Sequence, residues 1–228
     1  AAAADTKLGT ISVGDHPTDI MSSSGLVKAM ADLMSGDCKN DYTNKDVVLT
    51  LDQDITADDF LPKTPSGGDL WHNSVTINLN GHTLKVTGAR RHSLGSLVIN
   101  GGGGKINFSS VAYGNPIFNF DSGGGGSEFS IKNTTFENMN AEELFKVNEC
   151  SDTIKATDGI TIEGCFFNTG TFTQEGGILY FNDGEIKNIN ITNCCFRNLS
   201  SNDYAPAIFI GNQYLENLYI KGTTFFNC

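Results

Sequence analysis

A repeat of about thirty residues in the C-terminal part of the chain is the feature that most restricts its possible folds. One pattern occurs four times: FSIKNTTFEN at 129–138, ITIEGCFFN at 160–168, INITNCCFRN at 189–198 and LYIKGTTFFN at 218–227. When the copies are aligned on a shared phenylalanine, they lie 30, 30 and 29 residues apart. A constant period of this size is typical of a solenoid, in which each unit buries its apolar face against its neighbours.

The residues within each copy predict strands. Every copy opens with alternating apolar residues, as at Ile160 and Ile162 or at Ile189 and Ile191, and this alternation sends one set of side chains inward. A second apolar run follows most copies, at 144–147, 178–181 and 207–210, after polar corners rich in Asn, Gly, Asp and Ser. No helical pattern lies within the repeats. The constant period argues against a sandwich of hairpins, so we predict an all-β, parallel β-helix with coils of about 30 residues.

Stacked coils place equivalent side chains in ladders, about 4.8 Å apart. The alignment predicts an aromatic core ladder in which each ring contributes about 2–3 kcal/mol of burial. It also predicts a polar ladder of asparagines at one corner. The core ladder comprises Phe136, Phe166, Phe196 and Phe225, and the corner ladder comprises Asn138, Asn168, Asn198 and Asn227.

The N-terminal region differs from the repeats and predicts a cap. Within 23–36, Leu26, Val27, Met30, Leu33 and Met34 form one helical stripe that follows a serine pair and ends near a glycine. An amphipathic helix of this kind can cover the open end of a solenoid. We therefore divide the chain into an N-terminal segment, residues 1–45, and a parallel β-helix, residues 46–228.

Two sequence resemblances support this interpretation. VTINLNGHTL at 75–84, followed by coils of this length, resembles the opening rungs of right-handed parallel β-helices in the pectin-lyase-like superfamily, over roughly residues 45–228. The Phe-x-Asn ends of the repeats and GGIL at 176–179 are similar to the FxxN and GGAI repeats of chlamydial polymorphic membrane proteins, which are secreted surface adhesins. The resemblance implies an extracellular or cell-surface β-helix.

Many pectin-lyase-like proteins cleave polysaccharides, but the residues of this chain give little support for catalysis. The polygalacturonase order of an NTD segment, then DD, GHG and RIK, is absent, because NGHT at 80–83 comes too early and Asp58–Asp59 precede it. A lyase needs acids that bind calcium beside an arginine, and the chain has few arginines. Acidic residues after strands are usually solvated on an acidic protein. We expect no catalytic residue; the arginines are Arg90, Arg91 and Arg197, and the acids are Asp121, Asp152, Asp158 and Asp183.

Neither metal nor cofactor motifs are present. His16, His72, His82 and His92 match no metal-binding spacing. GGGGK at 101–105 lacks the spacing of a phosphate-binding loop and the Ser or Thr that follows its lysine, so it predicts a turn. We therefore expect no metal and no cofactor.

The six cysteines allow disulfides in a secreted protein. Cys165 and Cys195 each precede a repeat phenylalanine, so the alignment stacks them, either bonded or as small buried hydrophobes. Four N-x-S/T sequons are glycosylation sites if the host is a eukaryote, although Asn-rich corners also generate sequons by chance. The sequons begin at Asn107, Asn133, Asn190 and Asn198.

Charge and hydropathy exclude two classes of partner. The net charge of −11 disfavours nucleic acid and anionic lipid, and no apolar run of about 18 residues can span a bilayer. The AAAADTK start, without a methionine, suits a mature end left by signal-peptide removal. We expect a secreted or cell-surface protein.

The last repeat, LYIKGTTFFNC, is followed by no capping segment, so we expect either that the sequence is part of something longer or that a partner covers this end. Our leading hypothesis is a non-catalytic extracellular structural protein, either a filament subunit that stacks head-to-tail on copies of itself or the passenger of an adhesin. The alternative is a β-helix that binds or cleaves a polysaccharide.

Overall fold

The computed structural model describes residues 4–70, 73–120, 128–147, 159–173, 176–181, 185–211 and 214–228, without the side chains at 185 and 214. Within these ranges, one helix, α1 (Gly25–Ser35), accompanies 21 strands. The strands are β1 (Lys7–Val13), β2 (His16–Met21), β3 (Val47–Leu51), β4 (Ile55–Ala57), β5 (Ser74–Asn78), β6 (Thr83–Val86), β7 (His92–Ser93), β8 (Ser96–Asn100), β9 (Lys105–Asn107), β10 (Phe118–Phe120), β11 (Phe129–Lys132), β12 (Thr135–Ala141), β13 (Phe145–Val147), β14 (Ile160–Glu163), β15 (Phe166–Phe172), β16 (Leu179–Phe181), β17 (Glu185–Thr192), β18 (Cys195–Ser201), β19 (Ile208–Ile210), β20 (Tyr214–Lys221) and β21 (Thr224–Phe226).

Three sheets run along the molecule because successive coils contribute strands to the same sheets. Sheet A has the order β2-β1-β3-β5-β8-β11-β14-β17-β20, sheet B has the order β4-β6-β9-β12-β15-β18-β21, and sheet C has the order β7-β10-β13-β16-β19. From β3 onward every pairing is parallel. The predicted all-β parallel β-helix is therefore confirmed.

The core lies inside the three sheets and is built by the alternation seen in the sequence. In sheet A, one inward position is aliphatic from β3 to β17, and each of these side chains is fully buried. The parallel register stacks each on its counterpart in the next coil: Leu49, Ile77, Ile99, Ile131, Ile162 and Ile191.

The N-terminal residues cover the first coil. β1 pairs antiparallel with both β2 and β3, so a hairpin extends sheet A beyond the coils. The helix buries Leu26, Met30, Leu33 and Met34 of the predicted apolar stripe, whereas Val27 is 41% exposed. The sequence predicted weak strand character for 8–13 but not β2, because HPTDIM lacks apolar alternation; Pro17 is tolerated there because β2 is an edge strand.

The aromatic ladder contains a different phenylalanine from the one predicted in its second coil. Phe136 stacks on Phe167, Phe167 on Phe196 and Phe196 on Phe225, with ring centroids 5.1, 4.8 and 4.9 Å apart. Phe166 pairs instead with Thr135 and Cys195 and is only half-buried. The prediction for Phe166 was therefore wrong, because this coil is 31 residues long and the alignment assumed 30.

The same one-residue shift changes the corner ladder. Asn138, Asn198 and Asn227 have φ values of 57°, 53° and 51°, which is the left-handed conformation that asparagine tolerates. Asn168 does not occupy the equivalent position, because Thr169 does, with φ of 63°. Asn168 instead lies in register between Glu137 and Arg197 in sheet B.

The corner between sheets A and B alternates asparagine with glycine, for a steric reason. Asn133, Gly164, Asn193 and Gly222 all have positive φ there. A Cβ at Gly164 would lie 2.4 Å from Oδ1 of Asn133, and a Cβ at Gly222 would lie 2.4 Å from Oδ1 of Asn193. Each asparagine side chain therefore occupies the space that the glycine of the next coil leaves.

The predicted stacking of Cys165 on Cys195 is also wrong. Cys165 occupies the inward corner position and is 2% exposed, and its counterpart in the next coil is Cys194, which is 3% exposed. Cys195 begins β18 on the outer side, in register with Phe166. The cysteines in the described ranges carry free thiols: Cys38, Cys165, Cys194, Cys195 and Cys228.

Candidate functional site

Charged side chains gather where the loops after β4 and β6 meet the start of sheet C. Lys63 forms an ion pair with Asp69 and donates a hydrogen bond to the carbonyl oxygen of Arg91 at 2.8 Å. The Asp69 carboxylate accepts a hydrogen bond from the backbone N–H of Ser93 at 3.2 Å and lies 3.9 Å from Nε of Arg91. These contacts connect the two loops to each other and to β7.

A second, more deeply buried pair, Asp59 and His92, lies beside the first. We call these two pairs, together with Arg90 and Arg91, the charged cluster. Nε2 of His92 is 2.9 Å from Oδ1 of Asp59, and this carboxylate also accepts a hydrogen bond from the Phe60 N–H at 2.8 Å. Nε of Arg90 lies 3.9 Å from the other carboxylate oxygen. The His92 ring packs edge-on against Phe60, with centroids 4.6 Å apart, and is 3% exposed.

Burial and charge fix the protonation states in this pair. Burial lowers the pKa of His92 and outweighs the hydrogen bond that His92 donates to the Asp59 carboxylate, which would raise it. Burial would raise the pKa of Asp59, but the hydrogen bond and charge of His92 outweigh it and leave the pKa lowered. Burial, and then the negative charge of Asp59, raises the pKa of the neighbouring Tyr113. At neutral pH the cluster therefore holds a carboxylate and an uncharged phenol.

The space around this cluster suits bracing better than catalysis. The cavity bordered by Asp69 and His92 has a volume of about 10 Å³, which is room for one water molecule at most. A larger groove of about 300 Å³ lies between α1 and residues 59–65; Asp59 and Lys63 of the cluster line it, but its walls are mostly apolar and include Met30, Met34 and Pro62. Within the described ranges, no three His, Cys, Asp or Glu side chains are grouped to hold a metal.

The buried histidine predicts a specific pH dependence of stability. Because the pKa of His92 is lowered below its unfolded value of 6.5, the unfolded chain binds the proton more readily, and stability falls as pH falls through 6.5. We expect the free energy of unfolding in urea to decrease from pH 7 to pH 5 by at most about 1.4 kcal/mol per pH unit. The variant His92→Gln should lose this slope, and the half-buried control His82→Gln should retain it. Equal slopes in both variants would contradict the assignment.

On the outer side of sheet C, aromatic side chains stack between coils; of these, Tyr180 is 2% exposed and Phe209 is half-buried. Tyr180 and Phe209 are in neighbouring coils and stack with centroids 5.1 Å apart, and Tyr204 lies against Phe209 at 4.9 Å. The amino group of Lys146 lies 5.1 Å from the Tyr180 ring centroid. Tyr204 is 55% exposed. We call these four residues the aromatic cluster; exposed tyrosine offers both an apolar face and a hydroxyl, which suits a binding surface.

The remaining predicted residues lie at several places on the solenoid. Asn133 is exposed, whereas Asn107, Asn190 and Asn198 are half-buried, and glycosylation of any of them stays a prediction. Oδ1 of Asn198 accepts a hydrogen bond from the amide of Asn227 at 3.0 Å. The acidic residues considered at 121, 152, 158 and 183, and the histidine at 72, lie outside the described residues.

Sequence reasoning missed both the charged cluster and the aromatic cluster. One signal was available: partners in a solenoid are separated by about one coil. Asp59 and His92, and likewise Tyr180 and Phe209, have this separation. The charged pair was not found because the loops that carry Asp59 and Arg90 have no periodic pattern to align.

The sequence of this solenoid is similar to that of a known protein family. A family model described as a pectate lyase-like adhesive domain matches residues 39–175, which is more than half of the chain. The chain belongs to this family. The matched part of the pectate lyase-like adhesive domain includes β3 to β15 and the charged cluster. No match was found among curated proteins or among solved structures.

Proposed function

We propose that this pectate lyase-like adhesive domain is a non-catalytic, extracellular binding module that attaches to a glycan on a neighbouring surface. The observation that carries the proposal is the adhesive-domain match over residues 39–175 of a parallel β-helix. A solenoid whose coils are held together by stacked side chains is a rigid element that can present a binding surface. Across the described ranges, no helix has both the length and the apolar character needed to cross a bilayer.

The charge of the protein narrows the class of glycan. A net charge of −11 repels polyanionic polysaccharides, whereas a neutral sugar carries no such penalty. Exposed aromatic rings bury the apolar faces of a ligand, and the tyrosine hydroxyl supplies a hydrogen-bonding group at the edge. Within the aromatic cluster Tyr204 has these properties and stands against the half-buried Phe209, so we propose these two rings as a contact surface for neutral glycans.

The charged cluster supports the non-catalytic part of the proposal. General acid and base catalysis requires side chains that reach the substrate, in a cleft that holds it. His92 is 3% exposed beside a cavity for one water molecule, and Asp59 is held by three neighbouring groups. These residues brace the loops of the first coils.

Binding of the purified chain to an array of neutral glycans, followed by titration calorimetry on the best ligand, tests this function. We expect Tyr204→Ala to weaken binding about tenfold, because an exposed aromatic anchor typically contributes more than 1 kcal/mol. Tyr219→Ala is the matched control, since Tyr219 is 50% exposed on sheet A and should leave affinity within about twofold. Equal losses in the two variants would remove the aromatic cluster from the proposal, and an array without any neutral ligand would overturn the glycan proposal.

The same samples test the competing enzymatic function. A polysaccharide lyase or hydrolase would release new reducing ends from bound polysaccharide over time. We expect no release above that of a heat-unfolded sample. Release that persists in Tyr204→Ala but is lost in Asp59→Asn would favour catalysis at the charged cluster.

Self-association is a second candidate function, favoured by the apolar surface of the last described coil. Leu218, Ile220 and Phe225 are 41–48% exposed there. A coil stacked on this face would bury them, whether it belongs to a longer polypeptide or to another copy of the chain. The hairpin and α1 cover the opposite end, which favours a closed pair of final coils over the head-to-tail fibre that the sequence suggested. Sedimentation velocity at increasing concentration distinguishes a dimer from a monomer and from a fibre.

A further inference from the structure

Four successive coils place a small side chain with a hydroxyl or thiol at the same inward corner. The positions are Thr134, Cys165, Cys194 and Thr223, and each directs its oxygen or sulfur at the carbonyl oxygen two residues earlier, at 2.8, 3.4, 3.2 and 3.2 Å. The last three also approach the carbonyl oxygen of an isoleucine in the preceding coil, at 3.5, 3.5 and 3.4 Å. We call this set the thiol–hydroxyl ladder.

The two thiols of this ladder have equivalent surroundings, one coil apart. The carbonyl groups that contact Cys165 Sγ belong to Ile131 and Glu163, and those that contact Cys194 Sγ belong to Ile162 and Thr192. These carbonyl residues are themselves register partners, Ile131 with Ile162 and Glu163 with Thr192. The two side chains therefore point in the same direction, separated by about the 4.8 Å between adjacent strands.

We propose that Cys165 and Cys194 form a disulfide that joins two successive coils. Adjacent strands hold equivalent Cα atoms about 4.8 Å apart, which lies within the 4.4–6.8 Å that disulfides span. Extracellular proteins, the class in which we place this chain, are exposed to the oxidising conditions that such a bond requires.

The other cysteines in the described ranges lack a comparable partner. Cys195 is in register with Phe166 on one side and with Thr224 on the other. Sγ of Cys228 contacts the carbonyl oxygens of Phe196 and Phe226, at a different corner. Cys38 lies near the Val13 carbonyl under the N-terminal hairpin. The register therefore assigns Cys194, and not its neighbour Cys195, as the partner of Cys165.

The chemistry of the pair also suits thiol exchange. The neighbouring Cys165 thiol and backbone N–H groups lower the pKa of Cys194 in spite of its burial. The same pairing, together with burial, raises the pKa of Cys165. A lowered pKa increases the fraction of thiolate, which is the attacking form in exchange reactions.

With oxidised glutathione as the oxidant, the reaction balances in two steps. The Cys194 thiolate attacks one glutathione sulfur, and the first glutathione leaves as a thiolate that takes up a proton. Cys165, after losing its proton, attacks Sγ of Cys194 in the mixed disulfide and releases the second glutathione. Two protein thiols and one glutathione disulfide become one protein disulfide and two glutathione thiols.

The test is refolding of the reduced, unfolded chain in a buffer of oxidised and reduced glutathione, which gives the oxidant access before the thiols are buried. Free thiols are then alkylated, and the protein is digested with trypsin without a reductant. Trypsin releases Cys165 in residues 156–187 and both Cys194 and Cys195 in residues 188–197. The variants Cys194→Ser and Cys195→Ser therefore identify which neighbour is bonded. Serine at 194 should fold, because hydroxyl groups already occupy this ladder at Thr134 and Thr223.

We expect the wild-type chain and Cys195→Ser to yield the linked pair of peptides, and Cys194→Ser to lack it. The oxidised Cys195→Ser protein should unfold at a temperature about 10 °C above that of its reduced form, because the bond closes a loop of one coil. Alkylation of both thiols in refolded Cys195→Ser would overturn the proposal. Persistence of the linked peptides in Cys194→Ser would overturn it as well. Neither outcome bears on glycan binding, so the two proposals fail independently.

Discussion

Replacing Phe167 by alanine is expected to lower the free energy of unfolding by about 3–5 kcal/mol. The Phe167 ring is fully buried and stacks between the rings of Phe136 and Phe196, at 5.1 and 4.8 Å. Alanine removes these contacts and leaves a cavity that close-packed neighbours on both sides cannot fill. Urea unfolding monitored by circular dichroism, with the slope compared between variants, measures the loss.

The adjacent phenylalanine supplies a matched control. Phe166 is half-buried on the outer side of sheet B, so Phe166→Ala should cost less than about 1 kcal/mol. If Phe167→Ala does not fold, Phe167→Leu keeps most of the volume and should lose about 1 kcal/mol. A larger loss in the Phe166 variant than in the Phe167 variant would mean that this coil has the other register.

Gly177→Ala is expected to destabilise the fold by about 3 kcal/mol, because the new methyl group has no space. A Cβ at this position would lie 1.8 Å from the carbonyl oxygen of Pro206 and 2.2 Å from its carbonyl carbon. Backbone atoms of the next coil cannot move aside without breaking sheet hydrogen bonds. Two of these are the bond from the Ile178 N–H to the Pro206 oxygen, at 3.2 Å, and the bond from the Leu179 N–H to the Ala207 oxygen, at 3.0 Å. Thermal and urea unfolding both report the loss.

Gly114→Ala is the control for this prediction. No atom lies within 4 Å of a Cβ built at Gly114, and its φ is not positive. The substitution should therefore leave stability unchanged or raise it slightly, since alanine restricts the unfolded chain. A loss of stability at Gly114 as large as that at Gly177 would contradict the steric explanation.

The architecture could be predicted from the sequence because every coil of a solenoid repeats the same pattern of strand alternation and core residues. Alternating isoleucines at 160–162 and 189–191 specify an inward face, and the recurring phenylalanine specifies where the coils superimpose. The amphipathic stripe from Leu26 to Met34 was equally clear. These signals are local or strictly periodic, so they require no knowledge of the tertiary structure.

The register of one coil could not be predicted in the same way. Two adjacent phenylalanines, Phe166 and Phe167, both fit an aromatic ladder, and a constant period selects the wrong one. Strand alternation starting from the inward Cys165 identifies the phenylalanine that joins the ladder, because Phe166 must then face outward and Phe167 inward. The same one-residue shift explains why Cys194 is the counterpart of Cys165. It also explains why Thr169 occupies the asparagine position of the corner ladder.

The candidate site was the least predictable part. Asp59 and His92 meet because the loops after β4 and β6 fold against the same coil, and nothing in their local sequence indicates that path. The family match and the resemblance to adhesin repeats associate the chain with adhesion, but neither indicates which residues form the site. The aromatic cluster, in contrast, follows once Tyr180 and Phe209 are known to be one coil apart in sheet C.

The most direct test of the stacked coils is a nuclear Overhauser spectrum of the protein with labelled phenylalanine rings, assigned by single substitutions. Contacts between rings in neighbouring coils should connect Phe167 to both Phe136 and Phe196, and Phe196 to Phe225, while Phe166 shows none to these rings. Cross-peaks that place Phe166 between Phe136 and Phe196, or the absence of any contact among the four stacked rings, would contradict the structure described for this solenoid.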